Sequence, residues 1–251
     1  RHADVEAVLR DPRFSAQRTG GWVQQAAGKR GALAPFQALF ARALLFLDAP
    51  DHGRLRPLLQ QAFRPEALAR LRPQVERIAD DLIESLPGNG EFDFIARIAR
   101  PLPVRVISQI LGIDGADRGE VMDWSDDLAI FIGSPEPRPD QARRAQASLL
   151  AMARYFQAQL ACKGEAPDDS LLSCLLKARD RGQVRDDAEL LAQCAMLLFA
   201  GHETTRNLLG NGLHALLAHR RQWDRLCQDP ALVPGAVREL LRYDSPVQYT
   251  G

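Results

Sequence analysis

Apolar side chains return every third or fourth position along most of this chain, and that period predicts helices. The longest run takes in Leu190, Leu191, Cys194, Leu197, Leu198, Gly201, Leu208, Leu209, Gly212, Leu213, Leu216 and Leu217. Asp186 or Asp187 is placed to cap it, and it extends to about Ala218. Its apolar positions spread around most of the helix circumference, which predicts burial on several sides. Upstream, Leu68, Leu71, Val75, Ile78, Leu82 and Leu86 mark a helix begun by Pro65 and Glu66. Further helices are predicted over 4–9, 97–111 (interrupted by Pro101 and Pro103, ending at Gly112), 116–132 and 140–162. Others run from Asp169 or Ser170 to about Arg179, and over 220–228 and 231–243. Residues 35–47 are apolar and part helical, and Asp48–Arg56 leads into another helix.

Loops are marked by the Gly- and Gln-rich stretch to about residue 34, by Pro87-Gly88-Asn89-Gly90 and by Gly133–Pro139. Glu91–Ile95 reads as extended, and Ser245-Pro246-Val247-Gln248-Tyr249 as a strand. Strands are too few for an independent sheet. The expected fold class is mainly α with fragmentary β, in one domain over 1–251.

Composition narrows the function little. The 251 residues are 46% apolar and 25% charged with no net charge. Nothing in that balance suggests a nucleic-acid or membrane-surface partner. No apolar stretch reaches the roughly 18 residues of a membrane span. Cys162, Cys174, Cys194 and Cys227 have no zinc-ligand spacing. Cys162, Cys174 and Cys194 sit among leucines and are expected to be buried free thiols, as in a cytoplasmic protein. The chain opens inside a helix without an initiator methionine, and both ends are expected to be missing.

Chemistry concentrates in the middle of the long helix, at Ala200-Gly201-His202-Glu203-Thr204-Thr205. Glycine weakens a helix interior by about 1 kcal/mol relative to alanine. The Thr204 hydroxyl is expected to compete for the carbonyl of Ala200, four residues back. A carboxylate on an apolar helix needs a partner or a task. From these residues alone the segment is either a packing kink, where Gly201 admits another helix, or a functional site. His202 is read as packing or facing solvent. Downstream, Glu239 and Arg242 share a helix face at i, i+3 and can pair. Upstream, His52 and Arg56 share a face at i, i+4, and arginine binds carboxylates bidentately.

Ala-Gly-x-Glu-Thr-Thr followed by Glu-x-x-Arg resembles the oxygen-activating helix and the next structural helix of cytochrome P450 monooxygenases, soluble bacterial type. Asp4–Ser15, Arg100–Ile107 and His52-x-x-x-Arg56 are similar to family segments in the same order. The resemblance implies a central portion of a P450 fold. It implies that Glu203 is the acid and Thr204 the alcohol of a proton relay. His52 and Arg56 would hold the propionates of a b-type haem, with Ala200 and Gly201 also against it. Glu239 and Arg242 would form a structural pair tied to a later segment. Met196, Phe199, Val247 and Gln248 are candidate substrate-pocket residues, and loops 16–34 and 132–140 would cover the pocket. The family's Phe-x-x-Gly-x-x-x-Cys-x-Gly loop does not occur before Gly251, so the axial cysteine is expected after it.

The resemblance further implies a monomer using dioxygen, a small lipophilic substrate and two electrons from a ferredoxin or flavodoxin. Alternatives are a non-catalytic helical remnant of such an enzyme, or a peroxide-using relative.

Overall fold

Helices α1 (His2–Arg10), α2 (Ala34–Phe40), α3 (Asp51–Gln60) and α4 (Pro65–Glu84) come first in chain order. A π-helical turn, Ile95–Ala99, precedes α5 (Pro101–Leu111), α6 (Arg118–Ile132) and α7 (Pro139–Glu165). Then come α8 (Leu171–Asp180), α9 (Asp187–Ala218), α10 (Arg220–Gln228) and α11 (Val233–Tyr243). The computed structural model describes residues 1–17, 33–113, 118–134 and 137–248. The expected loop over 18–32 lies outside the described residues.

The central element is α9, 32 residues long, which packs against α2, α5, α6, α7, α8, α10 and α11. Its first turn is closed by the Asp186 carboxylate accepting from the Glu189 amide at 2.8 Å, the capping that an aspartate at this position predicts. Leu190, Cys194, Ala195 and Leu198 are buried on α9. They join Phe36, Phe131, Leu149, Met152, Phe156 and Leu172 in one core. The Phe36 and Phe131 rings meet edge to face at 5.2 Å, tying α2 to α6. After Ala200 only His202 and Gly212 are buried on α9, and α10 and α11 contain no buried residue.

Gly112 ends α5 with φ of 77°, a left-handed value that glycine adopts without strain. A Cβ there would also stand 2.1 Å from the Ser170 Cβ, so a side chain is excluded twice over.

Four expectations need correction. Among the described residues no strand forms. Ser245–Gln248 runs without a ladder partner, and an extended segment without one is not a strand; Tyr249 lies outside the described residues. Glu91–Ile95 is not extended throughout, because Phe94 is helical and Ile95 opens the π-turn. Proline has no amide hydrogen to donate, so Pro101 and Pro103 sit in the first turn of α5 rather than breaking a helix in mid-course. Finally, only Cys194 is buried, while Cys174 is half-buried and Cys162 exposed. Leu160 is the last buried residue of α7, and Cys162 lies beyond it.

Candidate active site

A cleft of about 470 Å³ opens between α3 and α9. His52 and Arg56 line it from α3, Leu44 and Asp48 from the segment before it, and Met196 and Ala200 from α9. Local chemistry sets each wall. Arg54, two residues from both His52 and Arg56, points to roughly the opposite face of α3. Its guanidinium meets the Glu189 carboxylate in two bonds, 2.8 and 2.6 Å long. It also donates to the Gln183 carbonyl at 2.8 Å and to Asp51 at 3.1 Å. This anchors α3 to the head of α9 and leaves His52 and Arg56 facing the cleft.

Gln193, fully buried, fixes the neighbouring segment. Its amide donates to the Arg42 carbonyl at 2.6 Å and accepts from the Leu44 amide at 2.8 Å. Asp48 accepts from the Ser15 hydroxyl at 2.5 Å and the Ala16 amide at 2.8 Å. Those bonds, Ser15 first, hold its carboxyl below the usual carboxylate range.

One turn beyond the cleft, the Thr204 hydroxyl donates to the Ala200 carbonyl at 2.9 Å, as helix geometry predicts. A Cβ on Gly201 would stand 3.0 Å from Ile107 Cγ1, so this glycine admits α5 closely against α9. Glu203 accepts from the Asn207 amide through Oε1, and the Arg206 guanidinium lies 4.0 Å away. Arg206 pairs with Asp126 of α6. The other Asp126 oxygen accepts from Arg100 at 2.8 Å, and Arg100 also reaches Asp123 at 2.6 Å. His202 is completely buried, with Nδ1 2.9 Å from the Ser125 hydroxyl. Burial, reinforced by Arg206 and Arg100 against the opposing pull of Asp126, brings its pKa down to about 4. The imidazole is therefore neutral near pH 7.

A family model, Cytochrome P450, matches residues 101–246. The chain is 40% identical over 251 residues to cytochrome P450 107B1 of Saccharopolyspora erythraea, covering 98% of this chain and 60% of that one. It is 38% identical over 248 residues to the vitamin D(3) 25-hydroxylase of Pseudonocardia autotrophica, covering 98% and 58%. The crystal structure of CalO2 superposes with a TM-score of 0.88 at 36% identity, covering 97% of this chain and 60% of CalO2. This chain belongs to the cytochrome P450 family. It spans about 60% of the length of these relatives.

The family implies haem, an apolar macrocycle with two carboxylates. The cleft matches both features, with apolar Leu44, Leu45, Met196 and Leu197 on its walls and the cationic or donor pair His52 and Arg56 among them. A cysteine ligand for that group is another matter. None of the four cysteines lines the cleft, and burial pushes the Cys194 thiol up to about 12, far from the thiolate that ligation needs.

The expected site residues divide into two sets. His52, Arg56, Met196 and Ala200 come together in the cleft, with Gly201, Glu203 and Thr204 following on the same helix. Phe199 instead packs against the core and does not line the cleft. Val247 is 52% exposed, and the Gln248 amide folds back to Asp244 at 3.1 Å and the Ser245 carbonyl at 2.5 Å. Without a partner strand, nothing directs that segment into the cleft. Glu239 and Arg242 pair at 2.8 and 2.6 Å, as i, i+3 spacing predicts.

Sequence reading missed Arg54, Glu189 and Gln193, which build the cleft walls, and Ser125, Asp126 and Arg206. The only signal for Arg54 was its place between His52 and Arg56. Its partner lies 135 positions away.

Proposed function

We propose that the full-length protein is a haem-thiolate monooxygenase that inserts oxygen into a small lipophilic molecule in the cytoplasm. The observation that carries this reading is the single cleft uniting His52 and Arg56 with Met196 and Ala200, directly before Glu203 and Thr204 on α9. His52 and Arg56 would hold the haem carboxylates, Arg56 by paired N–H donors. Held by a cysteine thiolate, haem would supply activation of dioxygen, because a thiolate favours O–O cleavage.

The chain's own part is proton supply and exclusion of water. Glu203 is half-buried, so its carboxylate can exchange protons with solvent and still hand them inward. Thr204 can receive a proton at Oγ1 and pass one on after turning away from the Ala200 carbonyl. Met196 and the leucines give an apolar wall, which favours a lipophilic substrate. Gly201 brings α5 against α9, and Ala200, exposed in the cleft, keeps that wall shallow. Phe199 packs into the core behind α9 in this reading, and Val247 and Gln248 have no part in the cleft. In this reading a ferredoxin or flavodoxin donates the two electrons. Glu239 and Arg242 serve the fold.

The test is expression of the complete reading frame followed by reduction under carbon monoxide. The red-shifted Soret band of a thiolate-ligated haem is expected, with loss of haem affinity in the double variant His52→Ala/Arg56→Ala. An intact protein that binds no haem, or binds it without that band, would overturn the assignment. The Glu203–Thr204 pair favours dioxygen over peroxide as oxidant, since a peroxide user needs no proton relay of this kind.

A further inference from the structure

His202 and Arg206 lie one turn apart on α9 and reach consecutive residues of α6. His202 meets Ser125 at 2.9 Å, and Arg206 pairs with Asp126. Glu203 and Thr204 lie between the two attachments. Ser125 and His202 are both completely buried, and Nδ1 meets the Ser125 hydroxyl of α6 while the Arg100 backbone also bears on the ring.

The second attachment involves a competition. Arg206 has two acidic neighbours, Asp126 in direct contact and Glu203 at 4.0 Å on its own helix. Arginine and glutamate at i, i+3 close readily into an ion pair. While Asp126 holds Arg206, the hydrogen bond on Glu203 Oε1 comes from the neutral Asn207 amide, and the guanidinium stands off at 4.0 Å. Arg100 backs Asp126 from the other side, at 2.8 Å. Removal of α6 would free Arg206 to close on Glu203.

We propose that the Ser125–His202 and Asp126–Arg206 contacts form a clasp through which α6 holds Arg206 back from direct hydrogen bonding to Glu203, making Ser125 and Asp126 positioning residues for the acid. The clasp rests on the role given to Glu203 above. Because α6 packs along α7 and leads into the segment joining them, the clasp links the seating of that helix pair to the readiness of the acid.

Hydrogen exchange and turnover test this in the full-length protein. In Asp126→Asn, exchange should rise together in peptides covering 120–132 and 199–208. Product formed per electron pair should fall several-fold, with peroxide making up the difference. Asp126→Glu should restore both, which a loss of stability alone would not explain. Ser125→Ala removes a single oxygen and carries the test should Asp126→Asn fail to fold; it should show the same paired rise in exchange. Faster exchange in 120–132 with 199–208 unchanged would overturn the clasp, as would wild-type coupling in Asp126→Asn. The exchange measurement needs no haem. It decides the clasp even where the carbon monoxide test rejects the monooxygenase reading.

Discussion

Two ion pairs in this chain share their chemistry and differ in almost everything else. Arg54 and Glu189 stand 135 positions apart, with Glu189 only 4% exposed at the head of α9. Glu239 and Arg242 stand three apart on α11, 56% and 71% exposed. The second pair belongs to a recognisable motif and is visible in the sequence. The first has no motif, yet it seats α3 on α9 and so sets the cleft. Burial makes the difference. Desolvation pushes Glu189 towards protonation, but Arg54 and the Arg185 amide outweigh it and hold the carboxyl below its usual range. That balance disappears when either partner is lost. At Glu239 water screens whatever the pair gains.

The largest expected effect follows from stranding a charge. Arg54→Met should cost about 3 kcal/mol, near the lower end for breaking a buried pair, because Arg54 retains some exposure. Adding Glu189→Leu should recover most of the loss, since two apolar residues replace an ion pair at little cost. Denaturant titration of the double-mutant cycle measures this. An additive cycle would mean that the pair does not anchor α3.

Acid should weaken the same half of the molecule. His202 has its folded pKa lowered from 6.5 to about 4, so between those values the unfolded chain binds more protons. Stability from this group is complete above about pH 6.5 and is lost as pH falls towards 4. At about 1.4 kcal/mol per pKa unit, the loss is roughly 3 kcal/mol. The pH dependence of unfolding should flatten over that window in His202→Gln; an unchanged slope would assign the acid sensitivity elsewhere.

A smaller effect concerns Gly201. Alanine there gains about 1 kcal/mol of helix propensity but places a methyl group 3.0 Å from Ile107 Cγ1. Alone it should change stability by less than about 1 kcal/mol. In an Ile107→Ala background, which removes Cγ1 and Cδ1, the same substitution should be stabilising, and thermal melts of the four proteins decide this. The smallest effect sharpens the opening contrast. Glu239→Ala should leave the melting temperature of residues 1–251 unchanged, whereas a clear drop would show that α11 depends on its exposed pair.

Much of the helical order was legible. The apolar period located α4 and α6 through α11 to within a few residues, because each buries a face whose spacing is written locally. Asp186 and Gly112 marked their helix ends through requirements confined to a few neighbouring residues. The short elements were less legible. The Glu91–Ile95 and Ser245–Tyr249 stretches have extended composition, but a strand exists only when another part of the chain supplies its hydrogen bonds. The site was half legible. Its helical spacing grouped His52 with Arg56, and Gly201 with Glu203 and Thr204, because residues a turn apart share a face.

The sequence by itself determined the helices, their caps and the residue types that place this chain in the P450 family. Tertiary structure alone decided that His52 and Arg56 face Met196 and Ala200, and that His202 is buried on Ser125. It also decided that Asp126 rather than Glu203 holds Arg206. Local periodicity reports which face of a helix is apolar. It does not report which distant charge or hydroxyl will meet a polar side chain when that face is buried.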